Sequence, residues 1–319
     1  MIKHALTGLA AALAIAGAAH AQELKEINFG IISTESAQNL KSQWTPILAD
    51  MEKKTGMKVK AFFATDYAGI IEGMRFNKVQ VAWFGNKSAM EAVDRASGEI
   101  FAQMVNADGT KGYYSHLIVN KDSKLQNLQD VLANAKSLSF GNGDPNSTSG
   151  FLVPSYYVFA QNHVDPKSAF KVMRSSNHEA NAMAVANKQV DVATNNSEEM
   201  DKMQAGAPEK FAQIRIVWTS PLIPSDPLVI RKDLPEASKK KIQDFFYGYG
   251  ATPEEKDNLV KLNKLSGFRP STNAQLVPIR QLELFKERNK IEADAGLAAT
   301  EKQARLADID AKLAALDKL

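Results

Sequence analysis

The chain has 319 residues, no cysteine and five histidines, and its 39 Lys+Arg stand against 36 Asp+Glu for a formal net charge of +3 at pH 7. Without cysteine there is no disulfide, no thiolate chemistry and no thioether-linked lipid anchor. So small a charge, with no basic run, excludes the electrostatic footprint of a nucleic-acid binder.

The chain opens Met1-Ile2-Lys3-His4, continues as an apolar stretch over 5–18 and reaches Ala19-His20-Ala21. A short basic start, an apolar core too short to cross a bilayer and a small-x-small ending describe a cleavable export signal. Residues 1–21 are therefore read as a signal peptide cut after Ala21, and the compartment as the periplasm of a Gram-negative bacterium. Past residue 21 no apolar segment is long enough to span a bilayer. The remaining chain, roughly 300 residues, is long for one core and suits two lobes.

From residue 27 onward, short apolar runs alternate with helical patterns. Residues 27–32, 59–63 and 79–84 read as strands, while Leu40, Trp44, Ile47, Leu48 and Met51 recur at helical spacing. This alternation predicts a parallel or mixed α/β sheet covered on both faces. Gly56 ends the first helix. Pro46 falls inside its pattern and places the helix start there, with Thr45 as cap.

Further along, the extended segments 117–120 and 217–221 read as hinge crossings between lobes. The expected organisation is a first lobe over 22–117, a second lobe over 118–220, a return to the first over 221–279 and a helical tail over 280–319. Leu306, Ile309, Leu313 and Leu316 lie close to a heptad seam in that tail. At barely two heptads, the seam is either a homodimer contact or a helix packed on its own lobe.

The pattern also echoes itself. Tyr67 opens a helix that ends at Asn77-Lys78 and is followed by Val79-Gln80-Val81-Ala82 and a polar end at Asn86. His178 opens another that ends at Asn187-Lys188 and is followed by Val190-Asp191-Val192-Ala193 and the polar Thr194-Asn195-Asn196. Two lobes built alike would each present a loop residue and a strand end to a shared cleft, where open α/β sheets bind ligands.

Residues 141–150 run Gly-Asn-Gly-Asp-Pro-Asn-Ser-Thr-Ser-Gly, between a strand through Phe140 and an apolar helical run from Phe151. A helix N-terminus leaves backbone N–H groups unpaired and attracts anions. Ser147, Thr148 and Ser149 set hydroxyls beside those amides, with no Lys or Arg among the ten residues. That composition suits either a tetrahedral oxyanion held by neutral donors or a simple capped helix. The missing lysine excludes a GxxxxGK[ST] nucleotide loop. Pro154 removes a bond to the Gly150 carbonyl, so the helix is expected to kink or to start late.

Segments 27–36, 66–71, 141–150, 184–196 and 221–227 are together similar to the PhnD-like periplasmic phosphonate-binding proteins of bacterial ABC importers. The likeness runs from residue 27 to about residue 285 and is weakest in the tail. It implies a type II periplasmic binding fold: two lobes, each a mixed sheet flanked by helices, joined by two hinge crossovers and followed by a C-terminal helical tail. It further implies a solute-binding component that takes an alkylphosphonate in the cleft and delivers it to an inner-membrane permease with a cytoplasmic ATPase.

Residue by residue, Tyr67, Ser147, Thr148, Ser149 and His178 match the positions that hold the phosphonate group. Tyr113, Glu198 and Asp226 match those that receive the organic or amino end. Tyr114 and Ser225 stand where the family has tryptophan and glycine, which bears on pocket shape. No cofactor, metal, catalytic residue or nucleic acid is implied. Two carboxylates would repel a bare anion, so 2-aminoethylphosphonate, which adds an ammonium, is the expected ligand. Methylphosphonate, phosphite and phosphate are the alternatives. The rival class is a periplasmic phosphoester or phosphonate hydrolase, with Ser147, His178 and Asp191 drawn as a triad or His116 or His163 recruited for a metal. Neither a G-x-S-x-G elbow nor an H-E-x-x-H spacing is present to support it.

Overall fold

The computed structural model describes residues 23–318. The export-signal reading of residues 1–21 lies outside them. The first run of chain is β1 (Glu26–Ile31), α1 (Ala37–Thr55), β2 (Lys58–Phe63), α2 (Tyr67–Arg75), β3 (Val81–Trp83), α3 (Asn86–Arg95) and β4 (Gly98–Asn106). A short β5 (Gly112–Tyr113) leads to β6 (Ser115–Asn120), α4 (Leu128–Asn134), β7 (Ser139–Asn142), α5 (Pro166–Ala169) and β8 (Val172–Ser175). That block continues with α6 (His178–Ala186), β9 (Val192–Asn196), α7 (Ser197–Gly206), α8 (Pro208–Phe211) and β10 (Ile214–Thr219). A short β11 (Ile223–Pro224) returns the chain to β12 (Pro227–Arg231), α9 (Glu236–Gly248), α10 (Pro253–Asn263) and β13 (Leu265–Pro270), followed by α11 (Val277–Ala293) and α12 (Ala299–Leu316).

Two sheets result. The first has the order β13-β4-β12-β3-β1-β2 and the second the order β10-β6-β9-β7-β8. In each, the strands joined by helices pair in parallel (β2-β1-β3 and β8-β7-β9), and the returning strands close the sheet antiparallel. The first core holds Phe29, Trp44 and Phe246 fully buried, with Phe29 and Trp44 ring centroids 5.0 Å apart. The second sheet is covered on one face around Phe140, Phe159 and Phe170 and on the other by Ala182, Val185 and Met200.

Three expectations are corrected. Segment 117–120 and residues 217–219 are not crossings but parts of β6 and β10, neighbouring strands inside the second sheet. The sheets are instead joined by 107–114 and 220–226, which meet in the two-residue pair β5–β11. The first helix starts at Ala37, nine residues before Pro46, because Ser36 accepts the Asn39 N–H as its cap. Pro46 sits inside the helix at the cost of one backbone bond. Thr45 does not cap; its hydroxyl donates to the Lys41 carbonyl at 2.6 Å. After Ser147 the helix does not start late. It begins at Thr148 with wide π turns, Leu152 N–H reaching the Ser147 carbonyl at 3.1 Å. The N–H that Pro154 lacks leaves no carbonyl orphaned, because the Gly143 N–H serves Gly150 at 3.0 Å and the Ser115 hydroxyl serves Ser149 at 2.6 Å.

The tail packs on its own chain. Helix α12 lies on α11, with Ile309 and Ile291 buried and Arg288 paired to Asp310 at 3.0 Å. Of the seam, Ile309 is buried there, while Leu306, Leu313 and Leu316 are half-buried.

Candidate functional site

The echo in the sequence is a repeat in the structure. Helices α2 and α6 begin at Tyr67 and His178, capped by Asp66 and Asn177; strands β3 and β9 follow; then α3 and α7 begin at Asn86 and Ser197. Every equivalent pair is a constant 111 positions apart, down to the N-caps Gly85 and Asn196. Each unit delivers two helix N-termini to the space between the sheets, and the segment from Thr148 brings a fifth.

There they enclose a cavity of ≈ 30 Å³, the space open to the centre of a water, lined at these helix starts by Tyr67, Gly85, Ser147, Thr148, Ser149, His178 and Asn196. On that measure it corresponds to about two to three waters, the scale of a small tetrahedral group. Tyr113, Glu198 and Asp226 line the same cavity, so all eight residues singled out in the sequence come together. Tyr114 and Ser225 do not line it. Tyr114 is exposed, and Ser225 is buried with its carbonyl on Gln103.

The three hydroxyls are oriented by what they accept. Ser147 Oγ takes the Gly150 N–H at 3.0 Å, Thr148 Oγ1 the Lys87 N–H at 2.9 Å, and Ser149 Oγ the Asn196 amide at 3.3 Å. A hydroxyl has one proton to give, and with a lone pair already engaged that proton is best used on another acceptor. Thr148 also caps α3 from the other sheet. A Cβ at Gly85, the N-cap there, would stand 3.1 Å from Thr148 Oγ1, a tight contact that glycine avoids.

His178 Nε2 lies 3.5 Å from Ser147 Oγ and 3.4 Å from Ser149 Oγ. Burial, then the Lys202 charge, pushes its imidazole down to about 4, so it is neutral at pH 7. Burial also pushes the Tyr67 and Tyr113 phenols well above their ordinary range, so both remain protonated donors.

The same cavity is also lined by carboxyls. Asp226 is fixed by Trp83 Nε1 at 3.0 Å and by the Tyr113 hydroxyl at 3.1 Å, one donor on each carboxylate oxygen. Glu198 accepts from Asn263 Nδ2. Burial, opposed by Lys202 and Asn263, pushes Glu198 up to about 7, and burial followed by the Glu198 charge pushes Asp226 well up. Glu199, beside them, is pushed up to about 8 by burial and then by Glu35. Such carboxyls are poised for a cation that would let them ionise.

Several lining residues escaped the sequence reading, among them Thr34, Glu35, Trp83, Glu199, Lys202 and Asn263. Only Lys202 carried a signal there, being one helical turn beyond Glu198 on the same face of α7. The drawn triad does not form: Asp191 is bonded to the Ser139 N–H and hydroxyl at 2.7 and 2.6 Å, on an exposed strand end. His116 bonds Thr219 at 3.0 Å, and among the described residues no His, Cys, Asp and Glu group could hold a metal ion.

Two sheets joined by paired crossings, with neutral donors converging on a small cavity between them, define a two-lobed binding protein of the type II periplasmic form. The family model described as "ABC transporter, phosphonate, periplasmic substrate-binding protein" matches residues 29–276. The chain belongs to this family, whose members are substrate-binding components of transporters and not enzymes. It is 62% identical over 302 residues to the phosphonates-binding periplasmic protein of Escherichia coli (strain K12), covering 94% of this chain and 89% of that one. A crystal structure of a binding protein component of an ABC phosphonate transporter from Pseudomonas aeruginosa superposes with a TM-score of 0.91 at 61% identity, over 93% of this chain and 98% of that one. A Prochlorococcus marinus structure in complex with methylphosphonate shares the fold, with a TM-score of 0.73 at 23% identity over 81% and 97% of the two chains.

Proposed function

We propose that the protein captures 2-aminoethylphosphonate in the periplasm, in the cleft between its lobes, and hands it to an inner-membrane permease driven by a cytoplasmic ATPase. Ser147, Thr148, Ser149, Tyr67 and neutral His178 hold the phosphonate oxygens, since N–H and O–H donors to charged oxygens form the strong kind of hydrogen bond. Tyr113, Glu198 and Asp226 receive the aminoethyl end. The observation that carries this reading is one small cavity lined both by oriented hydroxyls and by two buried carboxyls. A bare phosphate gains nothing from the carboxyls. Residues 1–21 act as the export signal in this account, and the lobes close about the crossings that bracket the second sheet.

A second reading, methylphosphonate as ligand, draws on the Prochlorococcus marinus complex. Calorimetry of the mature protein against 2-aminoethylphosphonate, methylphosphonate, phosphite, phosphate and sulfate separates the two. Tighter binding of methylphosphonate than of 2-aminoethylphosphonate refutes the assignment of the carboxyls.

A further inference from the structure

We propose that residues 34–39 and the first turns of α6 and α7 form an interlobe latch. It requires no ligand and sets how much of the protein is closed, with Glu179 and Lys202 as positioning residues for His178 and Glu198. The latch is a continuous row of bonds between the lobes, beside the cavity. The Thr34 carbonyl accepts the backbone N–H of His178 at 3.1 Å and of Glu179 at 3.5 Å. In return the Glu179 carboxylate accepts the Ser36 N–H at 2.6 Å and the Asn39 amide at 2.9 Å. One acidic side chain thus lies in the first turn of α6 and at the start of α1, where the dipoles of both helices favour negative charge.

Next along the row, Lys202 bonds Glu35 and donates to Gln43 Oε1 at 3.1 Å, while Gln43 Nε2 holds the second Glu35 oxygen at 2.9 Å. Glu35 is buried, and it and Lys202 line the cavity. Lys264 pairs with Asp201 at 3.1 Å, tying α7 to the end of α10. These groups lie one residue from His178, and three and four from Glu198. Closing the latch therefore fixes the first turns that aim both residues into the cavity.

Bonds made only in the closed arrangement shift its population, and apparent affinity scales with the binding-competent fraction. The shift is the same for every ligand. Residues touching the organic end behave otherwise, because they change the ratio between ligands.

The absence of cysteine allows a label pair, Lys53→Cys on the first lobe and Glu209→Cys on the second, both at exposed positions. In the ligand-free protein, spin-label distances should lengthen in Glu179→Ala and in Lys202→Met. By calorimetry Glu179→Ala should weaken 2-aminoethylphosphonate and methylphosphonate by one common factor, about 5–150-fold, while Lys202→Met, whose charge also acts on Glu198, is read by the label distance alone. Glu179→Gln keeps an acceptor for Ser36 and should recover part of the loss. Unchanged distances in the ligand-free variants or, in Glu179→Ala, unchanged affinities or factors that differ between the two ligands would each overturn the latch. The distance arm uses no ligand, so a wrong ligand assignment would leave it standing.

Discussion

Glu198→Gln separates recognition of an ammonium from general support of the site. Glu198 takes one side-chain donor, Asn263 Nδ2, so its carboxylate keeps acceptor capacity toward the cavity. A hydrogen bond to a charged group is worth about 1.5–3 kcal/mol, which is about 10- to 150-fold in affinity. Glutamine retains a neutral acceptor and forfeits the charge, so about half of that, about 0.75–1.5 kcal/mol, should be lost for 2-aminoethylphosphonate. Methylphosphonate has no ammonium; the variant removes a repulsion and should leave it unchanged or slightly tighter.

The pH dependence of that affinity ratio follows from the same residue. Burial holds Glu198 at about 7 in the free protein, and an ammonium beside it favours the ionised form. The bound value is therefore depressed below the free one. The ammonium's advantage is fully present above pH 7 and is lost as pH falls through 7 toward the bound value, by up to about tenfold per unit. The ammonium makes the phosphonate of 2-aminoethylphosphonate the more acidic of the two, so the ligands' own titration cancels only between proteins. Calorimetry from pH 5.5 to 8.5 should show the ratio of the two affinities rising more steeply with pH in the wild type than in Glu198→Gln. Equal weakening of both ligands, or the same pH dependence of the ratio in both proteins, refutes the reasoning.

Ser147→Ala removes a donor and the cap on the Gly150 N–H, so every phosphonate should weaken by about 1.5–3 kcal/mol with the ratio between ligands preserved, as calorimetry would read. The His178 imidazole should titrate near 4 by nitrogen NMR. Its folded value is depressed, so its contribution to stability is full above about 6.5 and lost as pH falls toward 4. Glu255, buried beneath Lys54 and three backbone N–H groups, is held down at about 2 despite the opposing cost of burial. Glu255→Gln should cost about 2–3 kcal/mol in urea unfolding at pH 7, an advantage the wild type loses as pH drops from 4.5 toward 2. Ile309→Asp should unseat α12 from α11 and raise hydrogen exchange across that helix, while ligand affinity is unchanged.

What could be read in the sequence, and what could not, divides along physical lines. Caps, hydroxyl runs and the helix–strand echo are local, so the helix starts at Tyr67, His178 and Thr148 were visible before any contact was known, while those at Asn86 and Ser197 showed only as polar strand ends. Pro46 misled because a proline's cost inside a helix is offset here by burial of Trp44, Ile47 and Leu48 on either side of it. The crossings misled because β6 and β10 are as extended and apolar as a crossing, while the true link, β5–β11, is two residues a side. Glu35, Glu179 and Lys202 look like ordinary surface charges, since their partners lie on the opposite lobe.

The repeat also says which half of the site is general and which is particular to one position. Tyr67 and His178 are equivalent, as are Gly85 and Asn196, so these cavity-lining positions belong to a frame built twice. Glu198 has Lys87 as its counterpart, and Lys87 turns its ammonium away to Glu91 at 3.4 Å and Glu283 at 3.7 Å, offering the cavity only the backbone N–H that Thr148 holds. Asp226 lies outside the repeat altogether. Under the proposed assignment, anion binding is spread over many helix starts and should fade by degrees under mutation, whereas discrimination for the amino end rests on two carboxyls and should fall on changing either one.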